Sequence, residues 1–451
     1  MAGEWQTLTL GEAGVALIDC DHRTPTAADS GYPYVAIPQL RYGRIDLSDA
    51  RRISPEHFVE WTRKARPTAN DVILSRRCNP GETAFVPPGL EFALGQNLVL
   101  LRADGKRVNP RFLRWLTSSP EWWQQIRKFL NVGAVFDSLK CADVPKFELT
   151  FPPLPEQRAI AHILGTLDDK IELNRRMSET LEAMARALFK AWFVDFEPVR
   201  AKAHLPSPPG RRPTGVPKGG DGGEGSAWPQ HILDLFPDRL VDEGKPEGWE
   251  MQPLSELLTI IGGGTPKTSV EDYWDGEIPW FSVVDTPPAS DVFVVATEKT
   301  ITDQGLSGSS ARLIPKGTTI ISARGTVGNL AIAGRDMTFN QSCYGLRGTG
   351  DAGDYFVYLT AQQMVDQLKS MAHGSVFSTI TRQTFEAIQR PVPPSDVLSA
   401  FEGLVTGWFD AILANVEESR TLAQLRDTLL PKLISGELRV PDAERIVGAA
   451  V

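Results

Sequence analysis

The chain has 451 residues, of which 41% are hydrophobic and 23% charged, a composition typical of a globular protein with two or three domains. Its formal net charge of −9 excludes a protein that is basic throughout, so a nucleic-acid ligand would need a locally basic face. The four cysteines are widely spaced and form no CxxC pair, so the sequence predicts neither a zinc site nor a disulfide framework.

Hydrophobic patterning gives no sign of membrane insertion or export. The sequence contains no uninterrupted apolar run of about 18 residues. Its first residues have neither the basic stretch nor the apolar core of a signal peptide. Together with the unpaired cysteines, this predicts a cytoplasmic protein that does not bind a membrane.

Positive charge is concentrated in the first third of the chain. Residues 1–150 hold 19 Lys and Arg against 17 Asp and Glu, whereas residues 249–395 hold 10 against 15. The basic clusters of the first segment are Arg51-Arg52, Arg63-Lys64-Arg66, Arg76-Arg77, and Lys106-Arg107 with Arg111 and Arg114. If the chain binds DNA, its second half must rely on partner proteins, because its own charge would repel phosphate.

Short β-like stretches broken by Gly and Pro open the chain and are followed by helical segments. Asp71–Leu74 and Asn97–Leu101 have strand composition, and Pro110–Leu130 has a helical pattern. After a Pro-rich stop, one long helix is predicted from just beyond Gln157 to about Phe193, because seam residues recur at alternating spacings of four and three.

This seam has a counterpart near the end of the chain. Its positions are Leu167, Ile171, Asn174, Ser178, Leu181, Ala185, Leu188 and Trp192, and adding 241 gives Trp408, Ile412, Asn415, Ser419, Leu422, Arg426, Leu429 and Leu433. Asn174 and Asn415 match, and we expect them to set coiled-coil register. Met177 and Met184 are expected to widen the first seam, and Arg426 is the one residue that does not suit the second. The alternative is two amphipathic helices that each pack on their own domain.

The long helices belong to a faint internal duplication of the whole chain. The matching segments, in order, are Val72–Arg77 with Thr319–Arg324, Gly95–Asn97 with Asn340–Ser342, Gly133–Phe136 with Gly374–Phe377, and Phe151–Pro153 with Val392–Pro394. The offset falls from 247 residues at Ser75 to 241 at Gly133, as expected when loops differ in length. The shared order predicts two copies of one mixed α/β unit, related by a pseudo-two-fold axis if the helices pair antiparallel.

Between the repeats lies a segment rich in Pro and Gly. Pro206–Gly225 is too poor in apolar residues to form a core and is expected to be mobile. Arg211 and Arg212 within it could contact DNA, although a solvated linker is the more usual role for such charges.

Motifs for catalysis or metal binding are incomplete. Gly262–Thr268 resembles a phosphate-binding loop, but Pro266 stands where that motif needs glycine and removes a backbone donor. Phe151–Leu154 lacks the Asn or Asp of an amino-methyltransferase motif, and the six histidines lack metal-site spacing. We therefore predict no catalytic and no metal site in this chain.

Six segments carry the most distinctive residue patterns: Pro152–Ile160, Leu167–Asn174, Leu188–Val199, Pro246–Glu250, Gly262–Pro266 and Leu425–Leu438. In this order, and with the duplication, they resemble the specificity subunits of type I restriction–modification systems over nearly the whole chain. The resemblance implies two tandem target recognition domains, each α/β in character and each followed by a long helix. It further implies that the two helices pair as an antiparallel coiled coil.

The implied domain boundaries follow from this match. Recognition domain 1 covers residues 1–153, the first long helix 154–197, a linker 198–248, recognition domain 2 249–395, the second long helix 396–436 and a tail 437–451.

The resemblance also implies a function. The chain would be a non-catalytic subunit that reads a bipartite, asymmetric sequence in double-stranded DNA. Its implied partners are two modification subunits, which bind S-adenosylmethionine and methylate adenine, and restriction subunits, which use ATP and Mg²⁺; the chain itself is expected to bind no cofactor. The alternatives are a recognition subunit of another methyltransferase-based defence system, an enzyme, or a coiled-coil protein that does not bind DNA.

Residue type and loop position select the side chains expected to contact DNA. They are Arg76, Arg77, Gln96, Thr265, Lys267, Arg324 and Gln341. Arg can hold phosphate or read guanine, and Gln suits adenine. Arg77 recurs in the second repeat as Arg324, and residues shared by domains with different targets more often support the fold or contact phosphate than choose a base.

Overall fold

A computed structural model describes residues 5–133, 137–203, 228–241, 244–288, 291–373 and 379–449. The chain divides into two compact units. Unit 1 comprises Met1–Lys170 and Thr421–Val451, and unit 2 comprises Ile171–Arg420. Each long helix is therefore divided between the units, so this division differs from the boundaries expected from the sequence.

Unit 1 combines short strands with three helices that precede the first long helix. Its strands are β1 (Gln6–Thr9), β2 (Val15–Asp19), β3 (Tyr32–Val35), β4 (Leu40–Arg41), β5 (Arg44–Ile45), β6 (Arg51–Ile53), β7 (Val72–Ser75), β8 (Thr83–Phe85), β9 (Ala93–Leu94), β10 (Leu98–Ala103) and β11 (Glu148–Phe151). Its helices are α1 (Pro55–Thr62), α2 (Pro110–Leu116), α3 (Pro120–Phe129) and the first part of α4 (Leu154–Phe193).

The central sheet of unit 1 has the strand order β2-β10-β7-β8, and all neighbours are antiparallel. Leu98–Leu101 and Val72–Leu74 are completely buried, as expected for apolar runs at the centre of a sheet covered on both faces. A second sheet has the order β6-β3-β9, and β1 pairs with β11.

Local capping explains where the short helices of unit 1 begin. Each of α1, α2 and α3 starts with a proline preceded by Ser54, Asn109 or Ser119, and each of these side chains accepts a hydrogen bond from a backbone N–H of the first turn. Proline is favoured at this position because the first N–H groups of a helix have no partner in the helix.

Unit 2 repeats this plan in strands and helices. Its strands are β12 (Glu250–Pro253), β13 (Leu258–Gly262), β14 (Trp274–Phe281), β15 (Phe293–Val294), β16 (Lys299–Ile301), β17 (Thr319–Ser322), β18 (Leu330–Ala333), β19 (Thr338–Phe339), β20 (Cys343–Gly348) and β21 (Gln389–Val392). Its helices are α5 (Glu197–Lys202), α6 (Gln230–Leu233), α7 (Leu254–Leu257), α8 (Asp303–Ser307), α9 (Asp354–His373), α10 (Arg382–Ala387) and part of α11 (Ser395–Ile434); α12 (Val440–Gly448) belongs to unit 1.

The strand orders confirm the internal duplication. Unit 2 has a sheet β13-β20-β17-β18-β15, a sheet β16-β14-β19 and the pair β12-β21, which match β2-β10-β7-β8, β6-β3-β9 and β1-β11 of unit 1 except for the added edge strand β15. Among the described residues, the short pair β4-β5 belongs to unit 1 alone. The match extends to single hydrogen bonds. Gly81 N donates to Ser75 O at 3.0 Å, and Gly328 N donates to Ser322 O at 2.9 Å. The matched pair Gly133–Phe136 and Gly374–Phe377 falls almost entirely outside the described residues.

The two 40-residue helices α4 and α11 pair in an antiparallel arrangement within unit 2. Asn174 Nδ2 donates to Ser419 Oγ at 3.3 Å, and Asn415 Nδ2 donates to Ser178 Oγ at 3.3 Å, so residue numbers rise on one helix as they fall on the other. This pairing excludes two helices that only pack on separate domains. The expectation that Met177 and Met184 widen the first seam is wrong, because these residues are 43% and 45% exposed.

Helix α11 modifies one sequence-based expectation. By length and composition alone it could cross a membrane, although it contains no uninterrupted apolar run of about 18 residues. Within unit 2, however, its residues Phe401, Val405, Phe409 and Ile412 are completely buried in a hydrophobic cluster. Its apolar face therefore packs as a core helix does.

Parts of the expected linker are folded. Val199, Ile232 and Phe236 are buried in unit 2 with Trp192, whose ring lies 5.2 Å from that of Phe236 in an edge-to-face arrangement. Trp249 completes this aromatic cluster. Local composition could not show this packing, because it depends on the end of α4. The Pro/Gly-rich segment Pro206–Gly225, with Arg211 and Arg212, lies outside the described residues.

Candidate nucleic-acid interface

The polar loop residues of unit 2 meet at one end of its central sheet. Strands β13 and β17 both run antiparallel to β20 between them, so the segments after Gly262 and Ser322 and the segment before Cys343 lie at the same end. These segments carry Thr265, Lys267, Arg324 and Gln341. The side chains predicted for the second repeat therefore converge on one end of the sheet.

Hydrogen bonds connect these segments directly. The backbone N–H groups of Ala323 and Arg324 both donate to Ser342 O, at 2.8 and 3.2 Å. The Thr265 hydroxyl donates to the side-chain oxygen of Gln341. Arg324 and Gln341 are exposed and Thr265 is partly exposed. Both the hydroxyl and the amide can exchange this mutual bond for groups on a ligand.

Close backbone packing explains the glycines before Thr265. A Cβ added at Gly263 would lie 2.1 Å from Asn340 O, and one added at Gly264 would lie 2.3 Å from Ser310 O. In addition, Trp280 Nε1 donates to Gly264 O at 2.9 Å, and Gly264 N donates to Phe339 O at 2.9 Å. These contacts hold the loop against the turn before β20, so the glycines serve close packing and not a phosphate-binding loop.

Acidic residues follow the one lysine of this set closely along the chain. Lys267 is exposed, and its carbonyl accepts a hydrogen bond from Trp274 Nε1 at 3.3 Å. The exposed carboxylates of Glu271, Asp272 and Asp275 lie on the chain segment around this tryptophan. Because they oppose an approaching phosphate, they restrict how much binding energy unit 2 can gain from charge alone.

The corresponding end of the unit 1 sheet is built in the same way. It lies after Asp19 on β2, after Ser75 on β7 and before Leu98 on β10. Arg77 and Gln96 lie there and are exposed. The Gln96 backbone N–H donates to the hydroxyl of Tyr34 at 3.2 Å, which holds the turn and leaves the amide side chain exposed at the surface.

Arg76 differs from the other predicted residues. It is 9% exposed, its Nη2 lies 3.9 Å from Asp19 Oδ1, and its Nη1 is 3.5 Å from Leu139 O. A side chain held among these groups is poorly placed to reach DNA, so the geometry favours a structural role. Arg77, the next residue, is exposed, so the two adjacent arginines differ in burial.

The basic clusters of unit 1 are partly neutralised. Arg66 forms an ion pair with Glu91 at 3.1 Å, and Arg114 forms one with Asp168 at 2.5 Å. Arg51 and Arg52, on β6, are exposed. The basic surface available to DNA is therefore smaller than the number of Lys and Arg residues in the sequence suggests.

A buried carboxylate on α4 was missed by sequence reasoning. Asp168 is 6% exposed and contacts Arg44 at 2.9 Å, Arg114 at 2.5 Å and Arg426 at 2.7 Å, all within unit 1. Burial opposes ionisation of Asp168, but the positive charges of Arg114, Arg44 and Arg426 outweigh it and lower its pKa. The one feature of the sequence that pointed to this buried carboxylate was Arg426, which does not suit the apolar seam. A buried cation at that position requires a buried anion as its partner.

The two predicted register residues lie in the helix pair of unit 2. Asn174 is 1% exposed and also donates to Glu418 Oε2 at 2.7 Å, and Asn415 is 8% exposed. Their bonds to Ser419 and Ser178 make a polar layer in an otherwise apolar interface. This layer can fix the register of the two helices, because sliding one helix along the other would leave the amides of Asn174 and Asn415 without partners.

One group of side chains in unit 1 has the residue types of a metal site. Asp19, Cys20 and His22 place ligand atoms within 4.8 Å of one another. Burial raises the pKa of the Cys20 thiol to about 11, so it remains protonated at neutral pH. Arg76 next to Asp19 adds a positive charge that opposes a cation. These residues fit a metal ion poorly.

Comparison with known proteins identifies a family. A profile of the type I restriction modification DNA specificity domain matches residues 3–183 and 246–397. The specificity subunit of the type I restriction enzyme HindI from Haemophilus influenzae is 28% identical over 398 residues, covering 82% of this chain and 86% of the relative. The MjaIX specificity subunit from Methanocaldococcus jannaschii is 28% identical over 190 residues, covering 41% of this chain and 43% of that protein.

A solved structure supports the fold. The crystal structure of the type I restriction–modification S subunit from M. genitalium matches with a TM-score of 0.54 at 15% identity, and the match covers 95% of this chain and 96% of that one.

Proposed function

Because the chain belongs to the family of type I restriction–modification DNA specificity subunits, we propose that its two sheet ends each read one half of a bipartite, asymmetric DNA sequence. The family is the DNA-recognition component of these complexes and not the catalytic one. The observation that carries the proposal is the duplicated sheet end, which exposes Arg77 and Gln96 in unit 1 and Arg324 and Gln341 in unit 2. Arginine and glutamine offer the groups that bind phosphates and base edges.

The paired helices would set the length of the unread spacer between the half-sites. A 40-residue helix is about 60 Å long at about 1.5 Å per residue. One turn of DNA is about 34–36 Å, so this length suits half-sites more than one turn apart.

The catalytic steps would belong to partner subunits. Family membership supports assembly with other restriction–modification subunits on DNA. The finer proposal is two modification subunits, which bind S-adenosylmethionine and methylate adenine, with restriction subunits that use ATP and Mg²⁺. A methyltransferase must rotate its target base out of the duplex, so this chain would hold the enzyme over the correct adenine. All of these components act on DNA in the cytoplasm.

Methylome mapping tests the function directly. Adenine methylation is mapped by long-read sequencing in cells that contain the gene with its neighbouring modification gene, and in cells from which this gene alone is deleted. We expect a split, asymmetric motif to lose methylation on deletion. A methylated motif that persists unchanged without this chain would contradict the proposal.

A further inference from the structure

The loops that follow β7 and β17 have the same length and the same closing hydrogen bond. In unit 1 the loop runs from Ser75 to Glu82, and in unit 2 from Ser322 to Asn329. Ser75 N donates to Glu82 O at 2.9 Å, and Ser322 N donates to Asn329 O at 2.9 Å. Each residue of one loop therefore corresponds to one residue of the other.

Backbone conformation inside the loops agrees with this correspondence. The fourth residue of each loop is left-handed, with a φ of 64° at Cys78 and 75° at Gly325. The next residues along the chain are Asn79 and Thr326, and both are exposed. Asn79 therefore occupies in unit 1 the position that Thr326 occupies in unit 2.

The exposed part of each loop combines one shared residue with two that differ. Residues 77–79 of unit 1 are Arg, Cys and Asn, and residues 324–326 of unit 2 are Arg, Gly and Thr; all six are exposed. The shared arginine suits a phosphate contact, which is the same in every sequence. A position that helps two similar domains to recognise different sequences must differ in chemistry. Of the two that differ in unit 1, Asn79 has the stronger hydrogen-bonding groups, because a thiol is a weak donor and a weak acceptor.

A neighbouring carboxylate orients the Asn79 amide. Asn79 Nδ2 donates to Glu82 Oε2 at 3.2 Å. Since a carboxylate only accepts hydrogen bonds, the amide nitrogen must face Glu82. This bond uses one of the two N–H groups and leaves the other N–H and the carbonyl oxygen for a ligand. In unit 2 both members of this pair are different, because Thr326 and Asn329 stand at their positions.

The groups that remain on Asn79 match one base. In the major groove adenine presents the N6 amino group as a donor beside N7 as an acceptor, and an Asn amide pairs with both at once. Threonine has a single hydroxyl and lacks this paired donor and acceptor, so Thr326 would not give unit 2 the same preference. The loop lies at the sheet end that also exposes Arg77 and Gln96.

We infer that Asn79 pairs with an adenine in the major groove of the half-site read by unit 1, and that it is a specificity-determining residue. The inference rests on the proposed function, because it assigns a reading role within one of the two proposed sheet ends. Glu82 is a positioning residue in this arrangement. It holds the amide so that a donor and an acceptor face the base.

The test measures methylation rates of the full methyltransferase complex on its wild-type motif and on every single-base variant of that motif. We expect Asn79→Ala to lower discrimination about tenfold at one A·T pair of one half-site, as expected when one bidentate base contact is lost. Ratios of rates at the other base pairs should stay unchanged. Asn79→Thr introduces the residue type that unit 2 carries in the same turn, so it serves if the alanine variant unfolds.

Glu82 is tested by its effect on the same base pair. Glu82→Ala should lower discrimination there by less than the tenfold loss of Asn79→Ala, because the amide remains but is no longer held. Glu82→Gln should restore discrimination, since its amide oxygen can accept the same hydrogen bond. A loss in Glu82→Ala that is equal on all sequences would overturn the positioning role.

Controls separate the possible failures. Gln6→Ala replaces an exposed amide on β1, and Thr326→Ala alters the equivalent position of unit 2. Both should leave discrimination at this A·T pair unchanged. For Asn79→Ala, equal slowing on all sequences, unchanged discrimination at every base pair, or a loss confined to a G·C pair would overturn the role of Asn79. If the wild-type complex methylates no split motif, the proposed function fails instead.

Discussion

Adjacent residues of the same type can have different roles, and burial decides which role each one has. Arg76 and Arg77 are adjacent, yet Arg76 is buried beside Asp19 and Arg77 is exposed at the sheet end. Asp168 is a further example, because three arginines from separate elements share one carboxylate. Removing a charge from such a cluster leaves the others buried without compensation, which costs more than the pair itself contributes.

The two adjacent arginines should behave oppositely on substitution. Arg77→Ala is expected to weaken DNA binding by the complex about tenfold at low salt, since it removes an exposed positive charge from the sheet end. Arg76→Ala is expected to destabilise unit 1 by about 1–3 kcal/mol, because a buried group and its contacts are lost. Fluorescence anisotropy and thermal unfolding measure the two effects. Equal effects of both variants on DNA affinity would contradict this assignment.

Asp168→Asn should destabilise unit 1 by about 3 kcal/mol at pH 7, because it leaves three arginines without their shared anion. The pKa of Asp168 is lowered in the folded protein, so its stabilisation is present above the unfolded pKa of about 3.9 and is lost as pH falls through the folded pKa. The difference between wild type and variant should therefore shrink below about pH 4. Asp169→Asn, at an exposed neighbour, is the control, and chemical unfolding at several pH values is the measurement.

At the scale of elements, each long helix also contributes one polar side chain that bonds backbone groups of its unit. Gln157 on α4 accepts from Asn109 N at 2.8 Å and donates to Arg107 O and Pro152 O at 2.8 Å. In unit 2, Glu402 on α11 accepts from the N–H groups of Tyr355 and Phe356 at 3.0 Å. Both side chains satisfy backbone groups near the beginning of another helix, which would otherwise be buried without partners.

Gln157→Met keeps the volume of the side chain and removes all three of these hydrogen bonds. We expect a loss of about 2–3 kcal/mol in the free energy of unfolding, because Gln157 is completely buried and its backbone partners would remain unsatisfied. Arg158→Ala, at the exposed next position, should change stability by less than about 0.5 kcal/mol. Similar losses in both variants would show that the hydrogen bonds of Gln157 are not the cause.

At the scale of the whole molecule, the negative net charge of the chain makes its affinity for DNA depend on assembly with partner subunits. The net charge is −9, and unit 2 presents carboxylates near Lys267. The isolated chain should bind its DNA sequence weakly and with a shallow dependence on salt, since few phosphates are neutralised. The assembled complex should bind more tightly and with a steeper dependence. Anisotropy titrations across a salt series test this, and equally steep slopes for chain and complex would contradict it.

The duplication, the mixed α/β class and the long helices could be predicted from the sequence, because they depend on local periodicity and on order along the chain. The helix predicted from just beyond Gln157 is α4, which begins earlier, at Leu154, and ends at Phe193 as predicted. The matched segments around Ser75 and Ser322 end equivalent strands. Tertiary structure decided which polar side chains remain accessible. Arg76 was indistinguishable from Arg77 by composition, and the burial of one and the exposure of the other follow from packing that no local pattern reveals. Likewise, only the fold brings Arg44, Arg114 and Arg426 to Asp168, because contacts between distant segments follow from packing and not from spacing.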